Sequence, residues 1–311
     1  MADTTNPANN NRLTQPPAEV ARLSRRAKRA QEADLVPWDK RGNWGRVLVA
    51  FVLLAFALFP LYYMVVTSVK SDGEATASPL LPPLRSIHFE NLVAVLDTVT
   101  RPAFNSSVAS FGTALLVLLL VAPAAYVFTW HRFPGKERIF TLVILSITMP
   151  SVLTFVPQFI LIKQLGLLNT QAGFILLMVA SSVAVPVYLL RTFFKSIPDD
   201  LVEAARLDGA SEPRILLQVI LPLMGPALIT VAVLTISAVW NQFLLPLVVL
   251  SDETQRVATV AASYLTGNPY FESSQSVLMA AYLMSSLPLV VTMAFLLRYF
   301  MSGATAGAIK G

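Results

Sequence analysis

The stretch VLVAFVLLAFALFPLYYMVV, residues 47–66, contains no charged side chain and only one proline, Pro60. An α-helix rises about 1.5 Å per residue, so about 20 apolar residues are needed to cross the roughly 30 Å hydrocarbon core of a bilayer. The stretch has that length and therefore predicts a membrane-spanning helix. A large soluble helical core is the alternative, and it is disfavoured because several other runs in the chain are as long and also lack charge.

Five more segments have this length and character. They are Val108–Trp130, Ile139–Ile162, Ala172–Leu190, Leu223–Leu250 and Val277–Phe300. Together with residues 47–66 they predict an all-α membrane protein with six transmembrane helices. The composition agrees, because 55% of the residues are hydrophobic and 13% are charged, whereas soluble domains carry about 25% charged residues.

The basic residues are distributed unevenly between the predicted loops. If the N-terminus is cytoplasmic, 18 of the 23 Lys and Arg residues lie in cytoplasmic segments, as the positive-inside rule requires. We therefore expect a multi-pass membrane protein with both termini in the cytoplasm. Residues 1–45 are polar and basic, which predicts a disordered cytoplasmic tail, and residues 46–311 form the transmembrane domain.

Side chains that support catalysis or metal binding are scarce. The chain has no cysteine, and its two histidines are His88 and His131, so a thiolate or histidine metal site is not expected. The pair Gly135-Lys136 lacks the other residues of a phosphate-binding loop, and the chain is not expected to hydrolyse ATP itself. We predict no catalytic residue, no bound cofactor or metal, and no nucleic-acid partner.

The loop between the fourth and fifth predicted spans, residues 196–222, reads SIPDDLVEAARLDGASEPRILLQVILP. Pro198 and the two acids after it favour the start of a helix. Gly209 suits the position just beyond a helix end because glycine tolerates a positive φ, and Ser211 can cap a second helix. The loop is therefore predicted to be two short helices joined by a hinge.

The first of these helices is predicted to carry a small apolar stripe on one face, formed by Leu201, Ala204 and Ala205. Such a stripe allows two interpretations. The helix lies flat against its own protein, or it is a docking surface on which Glu203 or Arg206 supplies polar contacts to another chain. The physical chemistry of the residues leaves both interpretations open.

The spacing Glu203-Ala204-Ala205, three residues, Gly209, nine residues, Val219, one residue, Leu221-Pro222 resembles the EAA loop of bacterial ATP-binding-cassette (ABC) importer permeases. We call residues 196–222 the EAA loop. Only Val219 departs from the pattern, which usually has Ile there. Because the motif has several spaced positions and falls between two predicted spans, it is far more specific than a single EAA triplet.

Two further segments narrow the resemblance to the carbohydrate-uptake branch, of the MalG type. They are WNQFLLPL at 240–247 and the C-terminal segment 298–311. Most of residues 45–311 fit this pattern, which implies a MalG/MetI-like type I importer fold in the bacterial cytoplasmic (inner) membrane. Many members of this family carry an acidic residue at the position of Gln242. This chain lacks that acid, so a role that the acid has in those proteins is not expected here.

The resemblance implies a set of partners in a larger complex. These are a second permease subunit (MalF-like), an ATP-binding subunit dimer (MalK-like) that binds ATP and Mg, and an extracytoplasmic sugar-binding protein. The ATPase would contact the EAA loop through Glu203, Ala204, Ala205, Arg206, Asp208, Gly209 and Pro222. The external loop 68–104 would pack against the binding protein. Residues Gly303–Gly311 of the cytoplasmic tail 301–311 would reach the ATPase as a close-fitting extended segment, and a frayed end is the alternative.

Polar and aromatic residues within the spans are candidates for a sugar pathway. Amide side chains donate and accept hydrogen bonds, which suits sugar hydroxyls, and aromatic rings can stack on pyranose faces. The candidates are Phe155, Gln158, Trp240, Asn241 and Gln242. Polar residues that join helices within the bundle are the alternative. Pro150 and Pro157 interrupt the third span and favour a helix that lines a channel.

The expected function is import of a sugar, a disaccharide or an oligosaccharide. Glycerol phosphate or another polyol is the alternative substrate, and a more distant alternative is an ion-coupled secondary transporter. A phosphate ligand would favour Arg or Lys within the spans, and ion coupling would favour Asp or Glu there. The six predicted spans contain none of these residues at mid-depth, which favours a neutral sugar and an external source of energy.

Overall fold

The computed structural model describes residues 44–83 and 86–308. The tail predicted for residues 1–45 lies outside these ranges except for its last two residues, and residues 309–311 also lie outside them. The chain divides into two units, residues 1–60 and 61–311. In the first unit, the described residues are 44–60, which are helical and exposed throughout.

The described residues form helices and connecting turns, without a strand among them. In chain order the helices are α1 (Trp44–Ser68), α2 (Asp72–Ala77), α3 (Glu90–Ala94), α4 (Leu96–Trp130), α5 (Lys136–Ile147), α6 (Ser151–Gln164), α7 (Gln171–Ser182), α8 (Ala184–Phe194), α9 (Asp199–Leu207), α10 (Glu212–Leu223), α11 (Gly225–Trp240), α12 (Leu244–Val249), α13 (Ala258–Leu265), α14 (Pro269–Glu272) and α15 (Gln275–Ala308). Within α10, one turn at Leu216–Ile220 is a π-helix.

Three helices, α1, α4 and α15, are each long and apolar enough to cross a membrane alone. Three bent helix pairs are long and apolar enough only when the two helices are taken together: α5 with α6 at 102°, α7 with α8 at 50°, and α10 with α11 at 82°. Counting each pair as one span gives six, which agrees with the predicted number.

Three predicted spans are broken where their backbone changes direction. The fourth, predicted as Ala172–Leu190, is interrupted at Val183, between α7 and α8. The third, predicted as Ile139–Ile162, stops at Ile147 and resumes at Ser151, because Pro150 has an extended conformation and cannot continue a helix. The fifth, predicted as Leu223–Leu250, ends at Trp240, and α12 follows as a separate helix. The proline at position 150 predicts the break in the third span, whereas hydropathy measures apolar length alone and does not reveal the other two breaks.

Two other spans are longer than predicted. The second begins at Leu96 instead of Val108, so the external loop predicted for residues 68–104 is shorter. Polar residues of this added helix, including Asn105 and Ser106, are buried by tertiary packing that hydropathy does not register. The last helix continues to Ala308, so residues 301–308 are helical and not the extended segment that their small side chains suggested.

Helix α4 lies at the centre of the second unit. It packs against α7, α8, α11 and α15. Val117, Val121 and Ala125 of α4 are completely buried in a cluster that also includes Val202 of α9 and Ile215 of α10. The EAA loop is therefore anchored in the core of this unit through apolar side chains.

Candidate coupling loop and translocation cavity

The EAA loop forms a helix, a glycine hinge and a second helix, as its sequence predicts. Pro198 precedes α9 in an extended conformation, and two acids occupy the first helical turn, where they complement the helix dipole. Gly209 has φ of +80°. The amide of Ala210 donates to the carbonyl of Ala205 at 3.0 Å, and the amide of Gly209 donates to Arg206 at 3.0 Å. This pair of bonds is a Schellman motif, which needs the positive φ that glycine supplies.

Helix α9 has one buried face and one exposed face. Val202 is completely buried and Ala205 packs against the same core cluster. Glu203 and Ala204 are exposed, and Leu207 is 89% exposed. Residues three apart share a helix face, so Val202 and Ala205 lie together on the buried face. Glu203 and Ala204, which lie between them in the sequence, are on the exposed face.

This orientation corrects the predicted stripe. Leu201 and Ala204 are exposed, and only Ala205 of the three predicted stripe residues packs on the core. The β-branched Val202 takes the buried position instead. Both interpretations of the helix are therefore compatible with its structure, because it lies against its own protein on one face and presents a second face outward.

A cluster of polar side chains joins the hinge to the end of α4. Glu212, the first residue of α10, accepts hydrogen bonds from Arg206 at 2.8 and 3.3 Å and from the Tyr126 hydroxyl at 2.5 Å. The His131 Nε2 atom lies 3.5 Å from the same carboxylate. Hydrogen bonds from Arg206 and Tyr126 hold the pKa of Glu212 below its usual value. We call this set of four side chains the Glu212 clamp.

A second contact ties α4 to the beginning of α9. The Trp130 indole nitrogen donates to Asp199 Oδ1 at 2.9 Å. The same indole ring stacks on Phe194, with ring centroids 5.8 Å apart. The last turn of α4 therefore contacts the EAA loop on both sides of the hinge. Sequence reasoning missed Tyr126, Trp130 and Glu212, since their pairing joins segments that are far apart in the chain.

The predicted coupling residues fall into two groups in the structure. Glu203, Ala204, Asp208 and Gly209 are exposed, whereas Arg206 is directed toward Glu212 of its own chain. Pro222 is exposed and follows the π-helical turn of α10. Because proline lacks an amide hydrogen, it cannot donate the usual helical bond at this point, which is consistent with the irregular turn before it.

A cavity of about 590 Å³ lies between α5, α6, α7, α8 and α12. Its lining residues are Ser146, Ile147, Met149, Val152, Thr154, Phe155, Gln158, Met178, Ala180, Ser181, Ala184, Val185, Gln242, Leu244 and Leu245. None of these carries a charge. Three of the predicted pathway residues, Phe155, Gln158 and Gln242, are therefore brought together at one cavity.

Some polar groups of the cavity-lining residues form hydrogen bonds within the protein, which hold them in place. The Gln158 amide donates to Thr154 Oγ1 at 3.2 Å and to Ser181 Oγ at 3.1 Å. The backbone carbonyl of Gln242 accepts a hydrogen bond from Thr259 at 2.6 Å, which fixes the chain after α11. Gln158, Thr154 and Ser181 are therefore joined by hydrogen bonds in the cavity wall, and amide and hydroxyl groups of this kind can bind the hydroxyl groups of a ligand.

The remaining two pathway candidates are not part of the cavity lining. The side chain of Trp240 is 6% exposed and packs within the bundle, so its ring is not presented for stacking on a sugar. The Asn241 amide donates to the Ser237 carbonyl at 2.8 Å, at the end of α11. Their polarity and aromatic character predicted a pathway role, but these contacts serve helix packing and termination.

A bundle of broken and continuous spans, an uncharged cavity and a protruding helix–hinge–helix loop define a multi-pass transport subunit. Residues 119–305 match the family described as "Binding-protein-dependent transport system inner membrane component", and the chain belongs to this family. It is accordingly a multi-pass protein of the inner membrane and a non-catalytic subunit of an ABC transporter.

Curated relatives cover most of the chain. The diacetylchitobiose uptake system permease protein NgcG of Streptomyces coelicolor is 31% identical, over 81% of this chain and 84% of its own length. The trehalose transport system permease protein SugB of Mycobacterium tuberculosis is 30% identical, over 88% and 99%. The trehalose/maltose transport system permease protein MalG of Thermococcus litoralis is 32% identical, over 85% and 96%.

A solved structure supports the same fold. A chain of a bacterial ABC transporter involved in the import of the acidic polysaccharide alginate superposes with a TM-score of 0.72 at 25% sequence identity. The match covers 85% of this chain and 100% of that one. Together with the relatives, it confirms the resemblance to carbohydrate-uptake permeases and the type I importer fold.

Proposed function

We propose that this chain is a permease subunit of an ATP-driven importer of neutral disaccharides or oligosaccharides, and that α9 couples it to a partner ATPase. The observation that carries the coupling role is the exposed face of α9. Glu203, Ala204 and Leu207 face outward, while Val202 on the opposite face is buried in the core. An outward face on an anchored helix can receive a push from a partner and transmit it.

The chemistry of this face fits docking into a cleft of another protein. Ala204 permits close approach, and Leu207 offers an apolar side chain that is 89% exposed. Glu203 makes no hydrogen bond or ion pair with the described residues and is free to meet a basic residue of the ATPase. The partner would be a MalK-like dimer, which binds ATP and Mg, and a MalF-like permease would supply the other half of the pathway.

The cavity supports a neutral sugar as the substrate. Its polar groups are amides and hydroxyls, and it lacks the Arg or Lys that a glycerol phosphate ligand would favour. The relatives named above carry diacetylchitobiose, trehalose or maltose according to their names. Phe155, Gln158 and Gln242 are the side chains we expect the sugar to contact, after an extracytoplasmic binding protein delivers it.

The topology proposed for this chain places the EAA loop and both termini in the cytoplasm. The distribution of basic residues supports this orientation. Residues 1–45 would then be a cytoplasmic tail preceding a transmembrane domain at 46–311, and residues 301–311 would approach the ATPase.

The proposed function is tested by reconstituting the complete transporter in liposomes. We expect ATP-dependent uptake of a sugar from a panel of trehalose, maltose and diacetylchitobiose. A Glu203→Lys substitution should abolish uptake and release the ATPase subunit during purification, with membrane insertion unchanged. The matched variant Asp200→Asn changes an exposed acid of the same helix and should import normally. Undiminished uptake by Glu203→Lys would contradict the coupling role.

A further inference from the structure

We infer that Glu212 is a positioning residue that fixes the hinge of the EAA loop to the end of α4, so that a displacement of α9 enters the bundle through α4 as well as through α11. This inference rests on the proposed coupling role of α9. The Glu212 carboxylate is contacted by Arg206 from α9 and by Tyr126 and His131 from the end of α4. It therefore joins three segments of the chain at one point.

The hydrogen bonds of the Glu212 clamp fix both the position and the orientation of the carboxylate. Arg206 Nε donates to Oε1 of Glu212 at 2.8 Å, and Arg206 Nη2 donates to Oε2 at 3.3 Å. A two-point contact between guanidinium and carboxylate restricts rotation as well as distance. Tyr126, which donates to Oε2 at 2.5 Å, is only 3% exposed and is held by the core. The carboxylate thus cannot move with α9 without pulling on a residue of α4.

The rest of the loop is suited to bending. Gly209 adopts φ of +80°, and the π-helical turn Leu216–Ile220 interrupts the regular hydrogen bonding of α10. A push on α9 could be absorbed at either place before it reaches α11. The Glu212 clamp bypasses both places. Arg206 reaches across the hinge at Gly209 to Glu212, and Tyr126 connects Glu212 to α4 without the π-helical turn.

Helix α4 is well placed to receive the movement. It packs against α7, α8, α11 and α15, among other helices, and its buried residues Val117, Val121 and Ala125 have no exposed surface. Closely packed interiors transmit displacement because they contain little free volume. The Trp130–Asp199 hydrogen bond, at 2.9 Å, adds a second attachment at the first residue of α9. The EAA loop is therefore held to α4 both before and after the hinge.

The inference is tested in the complete transporter carrying Glu212→Gln. The chain has no cysteine, so a Ser181→Cys substitution places a single thiol in the cavity lining. With Glu212 intact, we expect the labelling rate of this thiol to change several-fold between the nucleotide-free and the ATP–vanadate states. In Glu212→Gln this change should be lost, while the ATPase subunit still co-purifies. Amides of the hinge should exchange about tenfold faster, from the lost charge-assisted hydrogen bonds.

Matched variants separate positioning from folding. Asp200→Asn, which alters an acid of α9 outside the clamp, should retain the nucleotide-dependent labelling. Glu212→Asp keeps a carboxylate for Arg206 and Tyr126 and should retain a substantial part of the response. Normal switching by Glu212→Gln, or a loss in Glu212→Asp as complete as that in Glu212→Gln, would overturn the inference. If Glu212→Gln loses the ATPase subunit, then Glu212 supports docking and the inference is also wrong.

The results that would contradict the proposed function differ from those that would contradict the positioning role of Glu212. An unaltered transporter that shows no nucleotide-dependent labelling, or a Glu203→Lys variant that keeps the ATPase bound and imports sugar, would contradict coupling by α9. The positioning role fails alone when those controls behave as expected and Glu212→Gln switches normally.

Discussion

At the scale of single residues, the hinge depends on the backbone conformation of Gly209. Its φ of +80° is unfavourable for any residue with a side chain, although an added Cβ would meet no atom within 4 Å. The cost of Gly209→Ala is therefore conformational, about 1 kcal/mol. We expect hinge amides to exchange roughly fivefold faster and sugar uptake to fall, whereas Gly209→Pro, which fixes φ near −65°, should abolish uptake.

The matched control is Gly45→Ala. This glycine also has open space around its Cβ position, but it lies in helix α1 and has no positive φ. We expect it to be neutral or slightly stabilising, because alanine favours helix more than glycine does. Equal losses of uptake in Gly209→Ala and Gly45→Ala would show that the conformation of the hinge is not the cause.

Gln158 is the residue whose substitution tests the cavity. Its amide donates to Thr154 and Ser181 at 3.2 and 3.1 Å and lies in the cavity wall. Gln158→Leu keeps the volume but removes the donor, so we expect the KM for sugar uptake to rise about tenfold, corresponding to one or two lost hydrogen bonds. The control Gln218→Leu removes a surface glutamine that contacts Arg214 and should leave KM unchanged in the same transport assay.

At the scale of elements, the attachment between α9, α10 and α4 should respond to acid. The pKa of Glu212 is lowered by Arg206 and Tyr126, so its ionised form stabilises the folded hinge. This contribution is present in full above the usual glutamate pKa of about 4.3 and is lost as the pH falls through the lowered value. Hydrogen exchange of hinge peptides should therefore be steady from pH 8 to 5, after correction for intrinsic rates, and increase at lower pH.

Other titratable groups face the Glu212 carboxylate, and their protonation must be distinguished from that of Glu212. They are Tyr126, His131 and Arg206. The experiment is therefore run in a His131→Asn background, which removes the histidine. Adding Glu212→Gln should eliminate the acid-dependent increase, and an increase that persists would assign it to another group.

The elements also show which features the sequence can and cannot predict. Apolar length predicted six spans, because the bilayer imposes that length on every crossing. Glycine and proline positions in the EAA loop predicted its hinge, because their backbone preferences are local. The break at Pro150 is also local, because proline does not continue a helix, whereas the extension of α4 to Leu96 depends on packing between helices. The Tyr126–Glu212 contact spans 86 residues, and no local pattern marks it.

At the scale of the whole molecule, the coupling proposal requires α9 to lie on the cytoplasmic side and the loops around α14 on the opposite side. Leu207 in α9 is 89% exposed and Tyr270 in α14 is 57% exposed, so either position can carry an accessible thiol in a chain without native cysteine. A membrane-impermeant maleimide should label Tyr270→Cys in cells with a permeabilised outer layer and an intact inner membrane. Leu207→Cys should be labelled only in inverted vesicles from cells that lack the ATPase subunit, where the cytoplasmic face is outside and α9 is uncovered. Labelling of both thiols from the same side would remove the topology on which transmission from an ATPase to the cavity depends.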